Sequence, residues 1–228
     1  MQLEVLPDAE SVAREAARQV AAEARAAVDA RGLFTLAVSG GSTPWQMLAA
    51  LADEEVPWQA LHLFQVDERV APAGDPERNL THLRESLLAK APLPESQLHA
   101  MPVNAANLET AAADYAATLE KVAGAPPVLD LVHLGLGPDG HTASLVPGDP
   151  VCEVLDRDVA VTAAPYQGHR RMTFTYPLLA RARSILWLAT GASKVPMLGR
   201  LLRGDESIPG GRVRSERARV LADRAAAP

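Results

Sequence analysis

Three short stretches of this chain carry side chains whose types and spacing could do chemistry. Residues 134–144, Leu-Gly-Leu-Gly-Pro-Asp-Gly-His-Thr-Ala-Ser, set a carboxylate, Asp139, two residues before an imidazole, His141, among glycines. Histidine, with an ordinary pKa near 6.5, takes and returns a proton near neutral pH, so His141 is a candidate for acid–base work. Residues 39–44, Ser-Gly-Gly-Ser-Thr-Pro, offer backbone N–H groups at Gly40 and Gly41 and hydroxyls at Ser42 and Thr43. A helix starting there adds positive potential, a combination that suits a phosphate, although a plain strand-to-helix turn would use the same residues. The third stretch is Asp67-Glu68-Arg69. On a rim shared with His141, Asp67 could orient a water or the imidazole, and Arg69 could meet an anion. Arg171 and Lys194 are further cations at expected strand ends.

Two nucleotide-binding readings fail on spacing. The Ser39–Pro44 loop lacks the lysine of a P-loop. Gly135, Gly137 and Gly140 form a G-x-G-x-x-G after an apolar run, but only six residues separate Gly140 from Pro147-Gly148-Asp149-Pro150. That leaves no room for the long helix whose N-terminus would hold a pyrophosphate. The other histidines, His62, His82, His99, His133 and His169, read as structural or solvated, with His133 packed inside a strand.

The elements that must position these residues follow from hydrophobic periodicity. Asp8 to Ala30 reads as an amphipathic helix with Asp8 as N-cap and Gly32 as its stop. Strands are expected at Leu33–Val38, Leu61–Val66, Val128–Leu134, Arg171–Thr175, Ile185–Ala189 and Ala218–Ala222. Helices are expected at Trp45–Ala52, Asn79–Lys90 and Leu108–Val122, the last capped by Asn107, with a short one from Pro177. Strands alternating with helices imply one α/β domain, a mostly parallel sheet with helices on both faces. In such sheets ligands bind beyond the carboxyl ends of the strands, where all three polar stretches fall.

Composition narrows the partners. The 228 residues suffice for a single core, and with 48% hydrophobic but only 4% aromatic residues that core must be built from Ala, Leu and Val. A net charge of -6 argues against nucleic acid or an anionic membrane surface. Cys152 is the only cysteine, which rules out an intramolecular disulfide and disfavours a cysteine zinc site. The N-terminus has no signal-like cationic and apolar segments, so a cytoplasmic protein is expected.

The polar stretches, in this order, resemble the 6-phosphogluconolactonase family, sister to glucosamine-6-phosphate deaminase. The matching segments are Ala37–Pro44, Phe64–Pro72, Glu77–Leu88, Asp130–Gly148, Arg171–Ala182 and Leu188–Lys194. The resemblance runs from the first helix to the final strand, about 90% of the chain, and Gly137–Gly148 is the most specific segment. Val195 after the lysine and Leu80 after Asn79 depart from the usual pattern by apolar exchange. The resemblance implies a three-layer Rossmann-like fold and hydrolysis of 6-phosphoglucono-1,5-lactone, without metal or cofactor, by a monomer or homodimer. It places the catalytic residues at His141, Asp67 and Arg69. It places substrate binding at Gly40, Gly41, Ser42, Thr43, Asp139, Gly140, Arg171 and Lys194.

Two rivals remain. The deaminase branch follows its histidine with an Asn-Glu pair, whereas His141 is followed by Thr-Ala-Ser-Leu-Val-Pro-Gly, and the missing acid favours the lactonase. A non-catalytic sugar-phosphate sensor would need a DNA-binding helix pair before the domain, and none is read here.

Overall fold

The computed structural model describes residues 1–213 and 217–228. It opens with an edge strand, β1 (Gln2–Leu6), and a long helix, α1 (Ala9–Arg31). Asp8, extended in backbone, accepts the Ser11 N–H at 2.8 Å and so satisfies one of the helix's free donors. Gly32 ends the helix at φ 79°, a left-handed conformation that glycine adopts without a steric penalty, and its N–H returns to Val28 O. Val12, Ala16, Val20 and Ala24, on one face, are fully buried.

The remaining elements are β2 (Phe34–Val38), α2 (Ser42–Leu51), β3 (Leu61–Gln65), β4 (Asp67–Arg69), α3 (Asn79–Leu83), β5 (Leu98–His99), α4 (Leu108–Ala123), β6 (Leu131–Gly135), β7 (Val159–Val161), β8 (Arg171–Phe174), α5 (Tyr176–Arg181), β9 (Ser184–Ala189), α6 (Val195–Leu202), α7 (Pro209–Arg212) and β10 (Ala218–Asp223). Among the described residues, no helix is long and apolar enough to cross a membrane.

Seven strands form a parallel sheet in the order β1-β10-β9-β6-β2-β3-β5. Alternate side chains feed two cores. Phe34, Leu36 and Val38 pack with Leu186 and Leu188 and with the apolar sides of α1 and α2; Ala37, Ile185, Trp187 and Ala189 join the cluster shared by α4, α5 and α6. Both faces are covered, which is why the strands read as unbroken apolar runs. The three-layer α/β architecture is the one expected.

The structure corrects three details. Arg171–Thr175, expected as one strand of the parallel series, supplies β8 to a separate sheet, antiparallel to both β4 and β7. Periodicity marks a buried strand without saying which sheet it joins. Asp67–Arg69, expected as a charged rim, is itself β4, with Asp67 and Glu68 buried. The strands β1, β5 and β7 have no counterpart among the expected strands.

From β2 the chain proceeds outward through β3 to β5, whereas β6, β9 and β10 lie on the other side. Strand order therefore reverses between β2 and β6, and their carboxyl-terminal loops part over a crevice. The seam there is short, pairing Leu36 with Leu131 and Ala37 with Val132. Side chains close both of its ends. Asp130 Oδ2 accepts the Thr35 N–H at 2.9 Å and its hydroxyl at 3.0 Å, while Asp130 Oδ1 pairs with Arg31 at 2.6 Å. At the crevice end the fully buried His133 accepts the Ser39 N–H on Nδ1 at 3.3 Å.

Burial depresses the His133 pKa from its ordinary value to about 3, so the folded state holds a neutral ring that the unfolded chain protonates below about 6.5. Its contribution to stability is complete above the unfolded pKa and is lost as pH falls from there toward the folded value. The loss has a slope of up to about 1.4 kcal/mol per pH unit. Urea unfolding at pH 7, 6, 5 and 4 should show a His133→Asn variant less stable at neutral pH but with a shallower acid slope than wild type. Parallel slopes would show that His133 is not the titrating group.

Candidate active site

The crevice contains a cavity of about 270 Å³. Gly40, Gly41, Ser42 and Thr43 from the loop after β2, Asp67 and Arg69 from β4, His141 after β6, Arg171 from β8 and Lys194 after β9 all line it. Residues far apart in sequence thus meet because the loops after β2, β6 and β9 converge on the crevice that β4 and the start of β8 also face.

One end of the cavity gathers unspent N–H donors and cations. The first hydrogen bond of α2 runs from Trp45 N–H to Gly41 O at 3.1 Å, so the N–H groups of Ser42 and Thr43 are not spent within the helix. Pro44, next in line, has no N–H to leave unpaired. The Thr43 and Thr190 hydroxyls, 2.6 Å apart, tie this loop to the one after β9. Gly40 is required here because a Cβ would collide with the Asn79 side chain. Lys194 Nζ donates to Leu136 O at 2.6 Å. Its burial lowers the ammonium's pKa, and Asp139 partly offsets that. Burial also lowers the Arg171 pKa, but a guanidinium stays charged at neutral pH. The buried Nε atoms of Arg69 and Arg171 have no hydrogen-bond partner among the described residues.

The other end carries the imidazole. Asp139 Oδ1 lies 2.6 Å from His141 Nδ1 and accepts the His141 backbone N–H at 3.1 Å. Tyr166 donates its hydroxyl to Asp139 Oδ2 at 3.1 Å. Burial pushes the Asp139 carboxyl up, but the backbone and ring of His141 and the Tyr166 hydroxyl outweigh it, leaving the pKa below the ordinary carboxylate value. An ionised carboxylate can only accept, so in the neutral ring Nδ1 carries the proton and Nε2 the lone pair. A Cβ at Gly137 would collide with this ring.

Asp139 and Gly140, expected to touch substrate, are not on the cavity wall. Asp139 is engaged with His141 and Tyr166. Gly140, at φ 83°, gives its N–H to Gly137 O and its carbonyl to Gly210 N–H, and Ile208 fills the space a Cβ would need. The carboxylate that holds the imidazole is therefore Asp139. Asp67, expected to orient either a water or the ring, reaches the wall but accepts the Ser144 hydroxyl at 2.6 Å.

Glu68, invisible as more than one charge in a cluster, organises the loops. Its fully buried carboxylate accepts the N–H groups of Arg69, Asn79 and Leu80, each at 2.8 Å, and the Gln65 amide at 2.9 Å. Arg78 Nε lies 3.1 Å away. Asn79, so held, accepts from Arg69 Nη1 at 2.8 Å. Asn79, Gly137 and Thr190 lie within or beside stretches already singled out, whereas Tyr166 stands in a loop with no pattern to betray it.

A family model described as glucosamine-6-phosphate isomerases/6-phosphogluconolactonase matches residues 7–222. The chain belongs to that family. It is 42% identical to 6-phosphogluconolactonase of Synechocystis sp. over 77% of this chain and 74% of the relative. It is 34% identical to 6-phosphogluconolactonase of Mycobacterium tuberculosis over 99% and 96%. Among solved structures, 6-phosphogluconolactonase from Thermotoga maritima superposes with a TM-score of 0.87 at 25% identity, covering 97% of this chain and 98% of the other. A monomeric glucosamine-6-phosphate deaminase superposes with 0.86 at 20% identity over 99% and 98%, a likeness of fold alone.

Both branches of the glucosamine-6-phosphate isomerase/6-phosphogluconolactonase family thus share this frame, and side chains must distinguish them. Among the described residues, Asp67 is the one carboxylate on the cavity wall, and no three His, Cys, Asp or Glu side chains gather as a metal ion would need. Because Glu68 ties the start of α3 to β4 and faces the buried Arg78, Glu68→Gln should cost about 3–5 kcal/mol, the effect of leaving Arg78 buried without its counter-charge. Equilibrium urea unfolding measures this, and a loss below about 1 kcal/mol would remove Glu68 from that role.

Proposed function

We propose that the protein hydrolyses 6-phospho-D-glucono-1,5-lactone to 6-phospho-D-gluconate, the second step of the oxidative pentose phosphate pathway, with His141 as general base. The observation that carries this reading is the pairing within one cavity of an Asp139-anchored imidazole and a cradle of cations and helix N–H groups, with no acid following the histidine. The names and coverage of the relatives support it.

The substrate phosphate sits against Gly40–Thr43 with Lys194 and Arg171. His141 Nε2 takes a proton from a water whose oxygen attacks C1 of the lactone. The carbonyl electrons move onto oxygen, and Arg69 or a loop N–H stabilises that charge. As the intermediate collapses, the C1–O5 bond breaks and the imidazolium returns its proton to the ring oxygen, which would otherwise leave as an alkoxide. Asp139 keeps Nδ1 protonated throughout, so that the charged ring formed between the two steps is stabilised. One histidine serves both transfers.

His141→Asn should lower kcat by about 10²- to 10⁴-fold with little change in KM. Lys194→Ala should mainly raise KM, by about 1.5 to 3 kcal/mol in binding. A pH-stat assay on fresh lactone, corrected for spontaneous hydrolysis, reads both. A folded His141→Asn protein that keeps more than about a tenth of wild-type kcat would move the base elsewhere.

A further inference from the structure

Tyr166 lies in a tight hairpin between β7 and β8 and touches both halves of the site. Tyr166 and His169 exchange backbone hydrogen bonds, at 2.9 and 3.3 Å, across Gln167 and Gly168, whose φ values are 52° and 86°. Two successive left-handed residues make the tight turn that reverses a twisted hairpin. On one side the Tyr166 hydroxyl donates to Asp139 Oδ2 at 3.1 Å and lies 3.3 Å from His141 Nδ1, and the rings of Tyr166 and His141 meet edge to face at 5.2 Å. On the other side the Arg171 guanidinium lies over the Tyr166 ring, 5.1 Å from its centre. Arg171 Nη2 also donates to Tyr166 O and Gln167 Oε1, both at 3.3 Å.

We infer that Tyr166 is a positioning residue that couples the anion-holding Arg171 to the Asp139–His141 pair through its ring and its hydroxyl. This rests on the proposed reading in which His141 is the base and Arg171 holds the phosphate. The physical argument is that the two contacts use different parts of one rigid side chain. The hydroxyl fixes the second oxygen of Asp139, so that the first faces Nδ1 and the backbone N–H of His141. The ring face supports a guanidinium whose Nε is buried without a partner among the described residues, and a cation over an aromatic face is held in place by the ring's negative centre. An anion drawn to Arg171 therefore settles the ring that carries the hydroxyl, and the hydroxyl settles the base. Tyr166 is only partly buried and its neighbours in the hairpin are exposed, so its replacement leaves the cores intact.

Tyr166→Phe and Tyr166→Leu separate the two contacts. Tyr166→Phe keeps the ring and loses the donor, and should lower kcat about tenfold, the worth of one hydrogen bond to a charged group, with KM unchanged. Tyr166→Leu loses both, and should lower kcat comparably while raising KM about 3- to 30-fold. Two readouts need no turnover. Nitrogen-15 spectra of the His141 ring should show Nδ1 protonated in wild type and a larger Nε2-protonated fraction in Tyr166→Phe. Inorganic phosphate should bind Tyr166→Phe like wild type and Tyr166→Leu more weakly. Unchanged tautomer ratios in Tyr166→Phe, or equal phosphate affinity in Tyr166→Leu, would overturn the coupling even in an active enzyme. If wild type fails to open the lactone, the proposed function falls, while these two measurements still decide the role of Tyr166.

Discussion

Where the strand order reverses, the sheet is held by two registered residue pairs between β2 and β6 and by the side chains at either end of that seam. A longer ladder would bring the loops after β2 and β6 together and close the crevice; without the flanking bonds so short a ladder would leave the sheet weak at its centre. Asp130 answers this at the far end by bonding both the backbone and the hydroxyl of Thr35. His133 answers it at the near end with a neutral ring nitrogen that takes the Ser39 N–H. The second bond matters directly to the site, because Ser39 leads into Gly40 and the first turn of α2. The position of that loop is thus tied to a buried imidazole one strand away, and burial is what keeps that imidazole an acceptor.

The chain is acidic overall, at -6, yet its cavity gathers three cations. Their hydrogen-bond partners explain how the positive potential survives. Lys194 donates to Leu136 O; Arg69 donates to Glu77 O and the Asn79 amide oxygen; Arg171 donates to Tyr166 O and the Gln167 amide oxygen. Every one of these acceptors is neutral. The nearby carboxylates are occupied elsewhere: Asp67 by the Ser144 hydroxyl, Asp139 by His141 and Tyr166, and Glu68 by backbone N–H groups with Arg78. Neutral acceptors fix the cations in place, and the carboxylates nearest them, Asp67 for Arg171 and Asp139 for Lys194, act on them through space rather than by a hydrogen bond.

Legibility followed the range of the interactions. Asp8 and Gly32 around α1 and Asn107 before α4 act within a turn of their own helix, and each was readable from its neighbours. The glycine loops were readable because a close approach leaves its mark in the residue itself: Gly40 lies against Asn79 and Gly137 against the His141 ring. Glu68 was not, since a carboxylate satisfied by N–H groups eleven and twelve residues away looks in sequence like any solvated charge. β4 escaped notice for the same reason, its acids concealing a strand. The assignment of β8 to a second sheet depends on partners at Asp67–Arg69 and Val159–Val161, and no local pattern encodes a partner. Tyr166 has no such mark, because an aromatic in an exposed loop carries no periodic signal.

The frame itself does not choose a reaction. This chain superposes about as well on a deaminase, at 0.86, as on a lactonase, at 0.87, so the choice lies in side chains mounted on equivalent backbone. The segment just after the histidine is where such a choice is cheapest. Thr142 and Ser144 point into the protein, with Ser144 held by Asp67 and its N–H by Thr173, while Ala143, at φ 51°, is the residue there that reaches the cavity wall. A methyl group at that point supplies no proton and no charge. Opening a lactone asks for no further acid at that point, because its carbonyl is already electrophilic and a single imidazole can serve both the water and the departing ring oxygen. Ring opening of an amino sugar calls for an acid near the ring oxygen, and a methyl group cannot provide it. Under the proposed reading, the proton transfers that Ala143 cannot make fall to His141.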